Sequence, residues 1–220
     1  ITLGIPILVV ANLVAIGVRS TRAASPPSKN EKAIAPAKGG KLAKPTFAGG
    51  CFCCIETPFE NLQGVISVTS GYSGGKETAP SYPEVSSGRT SHVEAIQVKF
   101  DPDVISYEYL LEVFWRQIDP TDDGGQFADR GKQDRTAIFT YDREQRALAE
   151  ASKRKLAKSG IVKGPIVTEI RWAEPFYAAE AYHQDYYKKN PSNYKRYRAG
   201  SGREAFLKSV WSKRPLEAPV

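Results

Sequence analysis

Methionine is absent from all 220 residues, histidine occurs twice and cysteine only three times. The cysteines, Cys51, Cys53 and Cys54, have no distant partner, which excludes the disulfide framework that spaced cysteines would build. His92 and His183 stand at no spacing that makes a Cys–His dyad with them. An excess of positive charge is also missing where it would matter. Of the net +7, residues 1–44 hold +6, with Arg19, Arg22, Lys29, Lys32, Lys38, Lys41 and Lys44 against Glu31 alone. The remainder is nearly neutral, so the charge is no argument for a nucleic-acid partner.

Ile1 to Val18 is almost wholly apolar. It reads as a secretion signal, with small residues at Ala15-Ile16-Gly17, or as a retained membrane anchor. Any positively charged segment ahead of it would precede Ile1. Residues 19–44 are rich in Ala, Pro, Lys and Ser without a hydrophobic period and read as a flexible basic linker. Export from the cytoplasm is expected, with a catalytic domain over residues 45–215 whose hydrophobic content suffices for a packed core.

Within that domain, Pro45 to Ala48 reads as a strand running into Gly49-Gly50. Ile55, Phe59 and Leu62 then share one helical face. The helix starts either at Phe52, with a kink at Pro58, or at a capping box over Thr57-Pro58-Phe59-Glu60. Val65–Ser70, Val93–Phe100, Thr136–Tyr141 and Ile166–Trp172 read as strands. Helices are expected from Ser106, from Asp142 to Gly160, over Ala178–Lys189, stopping at Asn190-Pro191, and over Arg203–Trp211. Two long loops, residues 74–91 and 119–132, separate them. The mixed order of strands and helices indicates an α+β or mixed α/β sandwich.

Both helix readings put Cys51 at or just before a helix N-terminus, where the dipole and free N–H groups lower a thiol pKa. Cys51 is therefore the candidate nucleophile. Glu94 shares a strand face with Ile96, Val98 and Phe100, so its carboxyl is expected to stay protonated and to serve as an acid, unless it pairs with a base such as Arg89. Tyr82 and Asp129 stand in the two loops and could hold a developing oxyanion or a water. C-x-C-C without a second ligand cluster is poor zinc spacing, so no metal is expected.

Phe47-Ala48-Gly49-Gly50-Cys51-Phe52, Gly71-Tyr72-Ser73-Gly74-Gly75, Tyr82-Pro83-Glu84-Val85, His92-Val93-Glu94-Ala95, Asp119-Pro120-Thr121, Asp129-Arg130-Gly131 and Tyr182-His183-Gln184-Asp185-Tyr186 together resemble the peptide methionine sulfoxide reductase A family. The resemblance runs from about Pro45 to Trp211. It implies a central mixed β-sheet flanked by helices, a two-layer arrangement related to the ferredoxin-like fold. It further implies reduction of methionine-S-sulfoxide, free or in proteins, without cofactor. In that scheme Cys51 attacks the sulfoxide sulfur, Glu94 protonates its oxygen, and Tyr82 and Asp129 hold that oxygen and a water. A Cys51 sulfenic acid follows, then a disulfide that thioredoxin reduces. A monomer is expected.

The chain departs from the family pattern where Gly-Cys-Phe-Trp becomes Gly50-Cys51-Phe52-Cys53, and where a tyrosine after Gln133 becomes Asp134. Phe52, Cys53 and Tyr82 then line the substrate pocket, with two aromatics missing and weaker substrate binding expected. No cysteine follows Cys54, so the resolving thiol is local or external. Cys54 is the first choice and Cys53 the alternative. Two other functions compete: a general thiol–disulfide oxidoreductase using Cys51 and Cys54, and a degenerate paralogue that only binds.

Overall fold

The computed structural model describes residues 44–217. The apolar run, almost all of the basic linker and the last three residues lie outside the described residues. A six-stranded mixed sheet forms the centre, in the order β7-β6-β1-β3-β2-β8. Its strands are β1 (Thr46–Gly49), β2 (Val65–Ser73), β3 (Val93–Phe100), β6 (Thr136–Thr140), β7 (Glu169–Trp172) and β8 (Tyr177–Ala178). β1 pairs antiparallel with β3 on one side and β6 on the other, while β6 and β7 run parallel. The α+β class with a mixed sheet flanked by helices is thus realised.

One face of the sheet carries the main apolar core. Phe47 stacks on Phe59 of α1 (Phe52–Glu60) and Phe114 of α3 (Tyr107–Trp115), with ring centroids 5.3 and 5.0 Å apart. Each buried aromatic of this kind removes enough apolar surface from water to contribute about 1.5–3 kcal/mol. Ser106 caps α3 by accepting from Tyr109 N–H, and Asp142 caps α4 (Arg143–Lys158) by accepting from Gln145 N–H. Both starts are where the side-chain oxygens predict them.

Several expectations need correction. α1 starts at Phe52 and runs through Pro58 to Glu60, so no new helix is capped at Thr57. Pro58 falls late in the helix and leaves Cys54 O without its helical donor; Arg198 Nη1 donates to that carbonyl instead, at 2.6 Å. β2 continues past Ser70 to Ser73; Gly71 is where the strand comes close to its neighbour, since a Cβ there would lie 2.3 Å from Tyr177 O. Both long loops hold structure. The first contains α2 (Tyr82–Ser86), and the second folds into a ribbon of β4 (Gly125–Gln126) and β5 (Asp129–Arg130).

The helix expected over Ala178–Lys189 shrinks to α5 (Tyr186–Lys189), because Ala178 pairs in β8 and Asp185 takes a left-handed conformation with φ 54°. Asn190-Pro191 opens a further helix, α6 (Pro191–Gly200), with proline at its first position, where φ is already helical. α7 (Arg203–Trp211) occupies the expected span.

Candidate active site

The C-terminal end of β1 feeds Gly49-Gly50 into α1. Gly50 has φ 75°, and a Cβ on it would stand 2.6 Å from Gln126 Cβ, so only glycine lets the chain turn here. Cys51 is the N-cap residue, with φ −46° and ψ 116°. That conformation swings its sulfur back over the first turn of α1, to 2.7 Å from Cys53 Sγ. All three sulfurs lie within 4.8 Å of one another. Cys51, Phe52 and Cys53 line a cleft of about 840 Å³, together with Tyr82, Glu94, Asp129, Asp134, His183 and Tyr197. Cys54 is fully buried beneath.

The glutamate expected to act as an acid sits opposite. Glu94, on β3, is 5 % exposed, and its Oε2 accepts from Phe52 N–H at 3.1 Å. Burial, aided by the nearby Asp134 carboxylate, pushes its pKa up to about 8. It is protonated at neutral pH, poised to donate. Arg89 does not pair with it; that guanidinium bonds to Ser87 Oγ and Pro83 O instead.

Tyr82 opens α2. Its backbone N–H donates to Glu180 Oε1 at 2.9 Å, while Tyr72 O–H donates to Glu180 Oε2 at 2.8 Å. Burial raises the Tyr82 phenol, so it is a hydrogen-bond donor rather than a phenolate. Phe52, Tyr82 and His183 form an aromatic wall, with centroids 4.9 Å apart for Phe52–His183 and 4.3 Å for Tyr82–His183. Burial lowers the His183 pKa, keeping the ring neutral. The Gln126 amide ties the second loop: its Oε1 accepts from Asp119 N–H, and its Nε2 donates to Asp119 O. The ribbon so fixed presents Asp129, whose Oδ1 accepts from Tyr197 O–H. Burial raises the Asp129 pKa and pushes Asp134 up to about 6.

The thiols depart from expectation in one respect. Cys51 does not have the lowest pKa; as a donor to Cys53 and Cys54 in a buried place, its thiol is pushed up. Those hydrogen bonds hold Cys54 below the usual thiol range, helped by Arg203 and Arg198. The thiolate charge of the cluster thus rests on Cys54, which accepts from the other two thiols.

These arginines were not singled out in the sequence. Arg203 is fully buried; it donates to Gly49 O at 3.0 Å and to Gln117 O, with its guanidinium over the Phe127 ring. Arg198 donates to Cys54 O at 2.6 Å. Glu180, His183 as a wall residue and Tyr197 were also missed. The cue available was the Tyr182-His183-Gln184-Asp185-Tyr186 motif, which carries part of the family resemblance but was given no role in the site.

A protein-family model for peptide methionine sulfoxide reductase matches residues 43–215. The chain belongs to that family. It is accordingly an oxidoreductase that reduces methionine sulfoxide. The reductase is 60 % identical over 166 residues to peptide methionine sulfoxide reductase MsrA of Bacillus subtilis, covering 76 % of this chain and 94 % of that protein. It is 58 % identical over 169 residues to the Bacillus licheniformis protein of the same name, covering 77 % and 93 %. Among solved structures, reduced Mxr1 of Saccharomyces cerevisiae is similar at TM-score 0.65 and 31 % identity, covering 70 % of this chain and 89 % of that one. Methionine sulfoxide reductase A of Corynebacterium diphtheriae is similar at 0.60 and 31 %, covering 70 % and 77 %.

Proposed function

We propose that the reductase acts on the S epimer of methionine sulfoxide, free or in oxidised proteins, with Cys51 as nucleophile and Glu94 as acid. The observation that carries this is the convergence of Cys51, Tyr82, Glu94 and Asp129, from four separate segments, on one cleft. Cys51 passes its proton within the thiol cluster to Cys54, and its sulfur attacks the sulfoxide sulfur. Glu94 gives its proton to the sulfoxide oxygen, and the Tyr82 hydroxyl donates to the same oxygen. Asp129, oriented by Tyr197, holds the water beside it. Methionine departs and Cys51 is left as a sulfenic acid.

Two thiols are available to resolve it, and the geometry favours Cys53. Its sulfur is the one 2.7 Å from Cys51 and lies in the cleft wall, whereas Cys54 is fully buried and lines no part of the cleft. Cys53–SH displaces water from Cys51–SOH, and a dithiol reductant of the thioredoxin class reduces the disulfide from the open side. A stereospecific assay with methionine-S-sulfoxide peptide and thioredoxin tests the scheme. Cys51→Ser should be folded and inactive. Cys54→Ser should still close a disulfide after one turnover, while Cys53→Ser should accumulate dimedone-reactive sulfenic acid; disulfide closure at the parent rate in Cys53→Ser would return the role to Cys54.

Residues 1–44 support a location outside the cytoplasm, through a cleaved signal or a retained anchor. N-terminal sequencing of the protein from membrane and soluble fractions distinguishes the two.

A further inference from the structure

We propose that Cys51, Cys53 and Cys54 form a three-thiol binding site for a neutral trivalent metalloid hydroxide, of which arsenous acid is the probe. Sequence spacing alone argues against any metal here. The N-cap conformation of Cys51 changes that, because it brings a sulfur from outside the helix over two sulfurs from its first turn. A pyramidal three-coordinate centre with bonds of about 2.3 Å, the length of a zinc–thiolate bond, holds its sulfurs roughly 3.5 Å apart. Three sulfurs within 4.8 Å of one another meet that spacing once Cys51 and Cys53 open from their 2.7 Å contact.

The ligand set decides what kind of centre fits. The group holds three sulfurs and no histidine or carboxylate. Zinc in a structural site takes four ligands, so three soft donors suit a softer, three-coordinate centre. Charge narrows the choice further. Three thiolates around a monovalent or divalent cation would leave net negative charge facing only Arg203 and Arg198, whose guanidiniums are already engaged with the carbonyls of Gly49, Gln117 and Cys54. Condensation with a neutral trihydroxide avoids this. The S–H bonds of Cys51 and Cys53 and three As–O bonds break, the Cys54 thiolate is matched by one proton from solvent, three S–As bonds form, and three waters leave. No atom changes oxidation state and no charge is buried.

Access and preorganisation agree. Cys51 and Cys53 line the cleft, so a small neutral solute meets two thiols first, with the third directly beneath. Cys54 N–H donates to Cys51 O at 3.0 Å, which fixes the turn that carries all three. Little ordering is left to be done on binding.

The test uses the reduced full chain and arsenous acid, read by native mass spectrometry and by competition with a small dithiol. The expected adduct is one arsenic atom less three hydrogens, with no free thiol left to a thiol reagent. X-ray absorption should count three sulfur neighbours. Cys53→Ser and Cys54→Ser, each checked for folding by circular dichroism, should give a two-sulfur adduct that keeps one hydroxide on arsenic and bind at least about tenfold more weakly, since the third bond is intramolecular. A two-sulfur adduct retaining hydroxide on arsenic in the parent chain would overturn the proposal, as would parent-like affinity in Cys54→Ser or no adduct at stoichiometric arsenic. None of these readouts depends on reductase turnover.

Discussion

Replacing Asp134 by Asn should move the basic limb of the reductase pH profile to lower pH. Glu94 must carry a proton to protonate the sulfoxide oxygen, so kcat/KM should fall as pH rises through its folded pKa of about 8. Burial is the first cause of that value and the Asp134 carboxylate the second. Asp134 itself titrates at about 6, so its charge is present across the window in which Glu94 ionises. Removing it leaves burial in place and lowers the limb without abolishing it. The same shift is a statement about stability. Glu94 rises from 4.5 to about 8, which at 1.36 kcal/mol per unit corresponds to roughly 5 kcal/mol. Because the folded pKa is the raised one, this contribution is intact below 4.5, declines as the unfolded chain ionises, and is gone above about 8. Glu94→Gln removes the titrating group. It should lose about 10²–10⁴ in kcat/KM while being more stable than the parent at alkaline pH. Steady-state kinetics with a methionine-S-sulfoxide peptide, paired with urea unfolding at matched pH, measures both. A basic limb that stays put in Asp134→Asn, or a Glu94→Gln variant within about tenfold of the parent, would refute the reasoning.

Cys53→Trp should restore an apolar wall contributing about 1–3 kcal/mol of contact, lowering KM at least about fivefold. The same variant should stop after one turnover, a burst that a quench experiment would show. Tyr82→Phe, which deletes the hydroxyl and keeps the aromatic wall, should lower kcat by about 10²-fold with KM little changed in steady-state assays. Arg203→Met leaves Gly49 O and Gln117 O without their donor, and at about 1–3 kcal/mol for each orphaned group should show a clear fall in Tm by calorimetry. Gly50→Ala should destabilise by more than about 1 kcal/mol in urea unfolding, because its backbone is left-handed and Gln126 occupies the space.

Residues whose role follows from local pattern were legible before the structure. Glu94 is an acid among Ile96, Val98 and Phe100 on one face of a strand, and alternation alone marks it as buried. Ser106 and Asp142 announce their helices by capping chemistry. α6 was hidden because Pro191 reads as a stop, although proline equally opens a helix. Ala178–Lys189 has helical composition, but pairing of Tyr177 and Ala178 with β2 overrides it. Arg203 and Arg198 were invisible because their partners are backbone carbonyls more than 80 residues away, and nothing in their neighbourhood signals burial. The pKa order within the thiol cluster failed because hydrogen bonds from Cys51 and Cys53 set it first, and guanidiniums from the far end of the chain add to them, whereas the helix N-terminus was the only local cue.

That distant origin has a kinetic side. β1 is an early strand yet lies inside the sheet, between β3 and β6, so its pairing waits for residues far downstream. The carbonyls at Gly49 and Cys54 wait longer still, for α6 and α7. As the chain emerges from its N-terminal side, the three thiols are made early and enclosed last. Through most of its synthesis the reductase therefore carries its oxidisable sulfurs unguarded, and a premature disulfide among them would have to be undone before the last helices could seat.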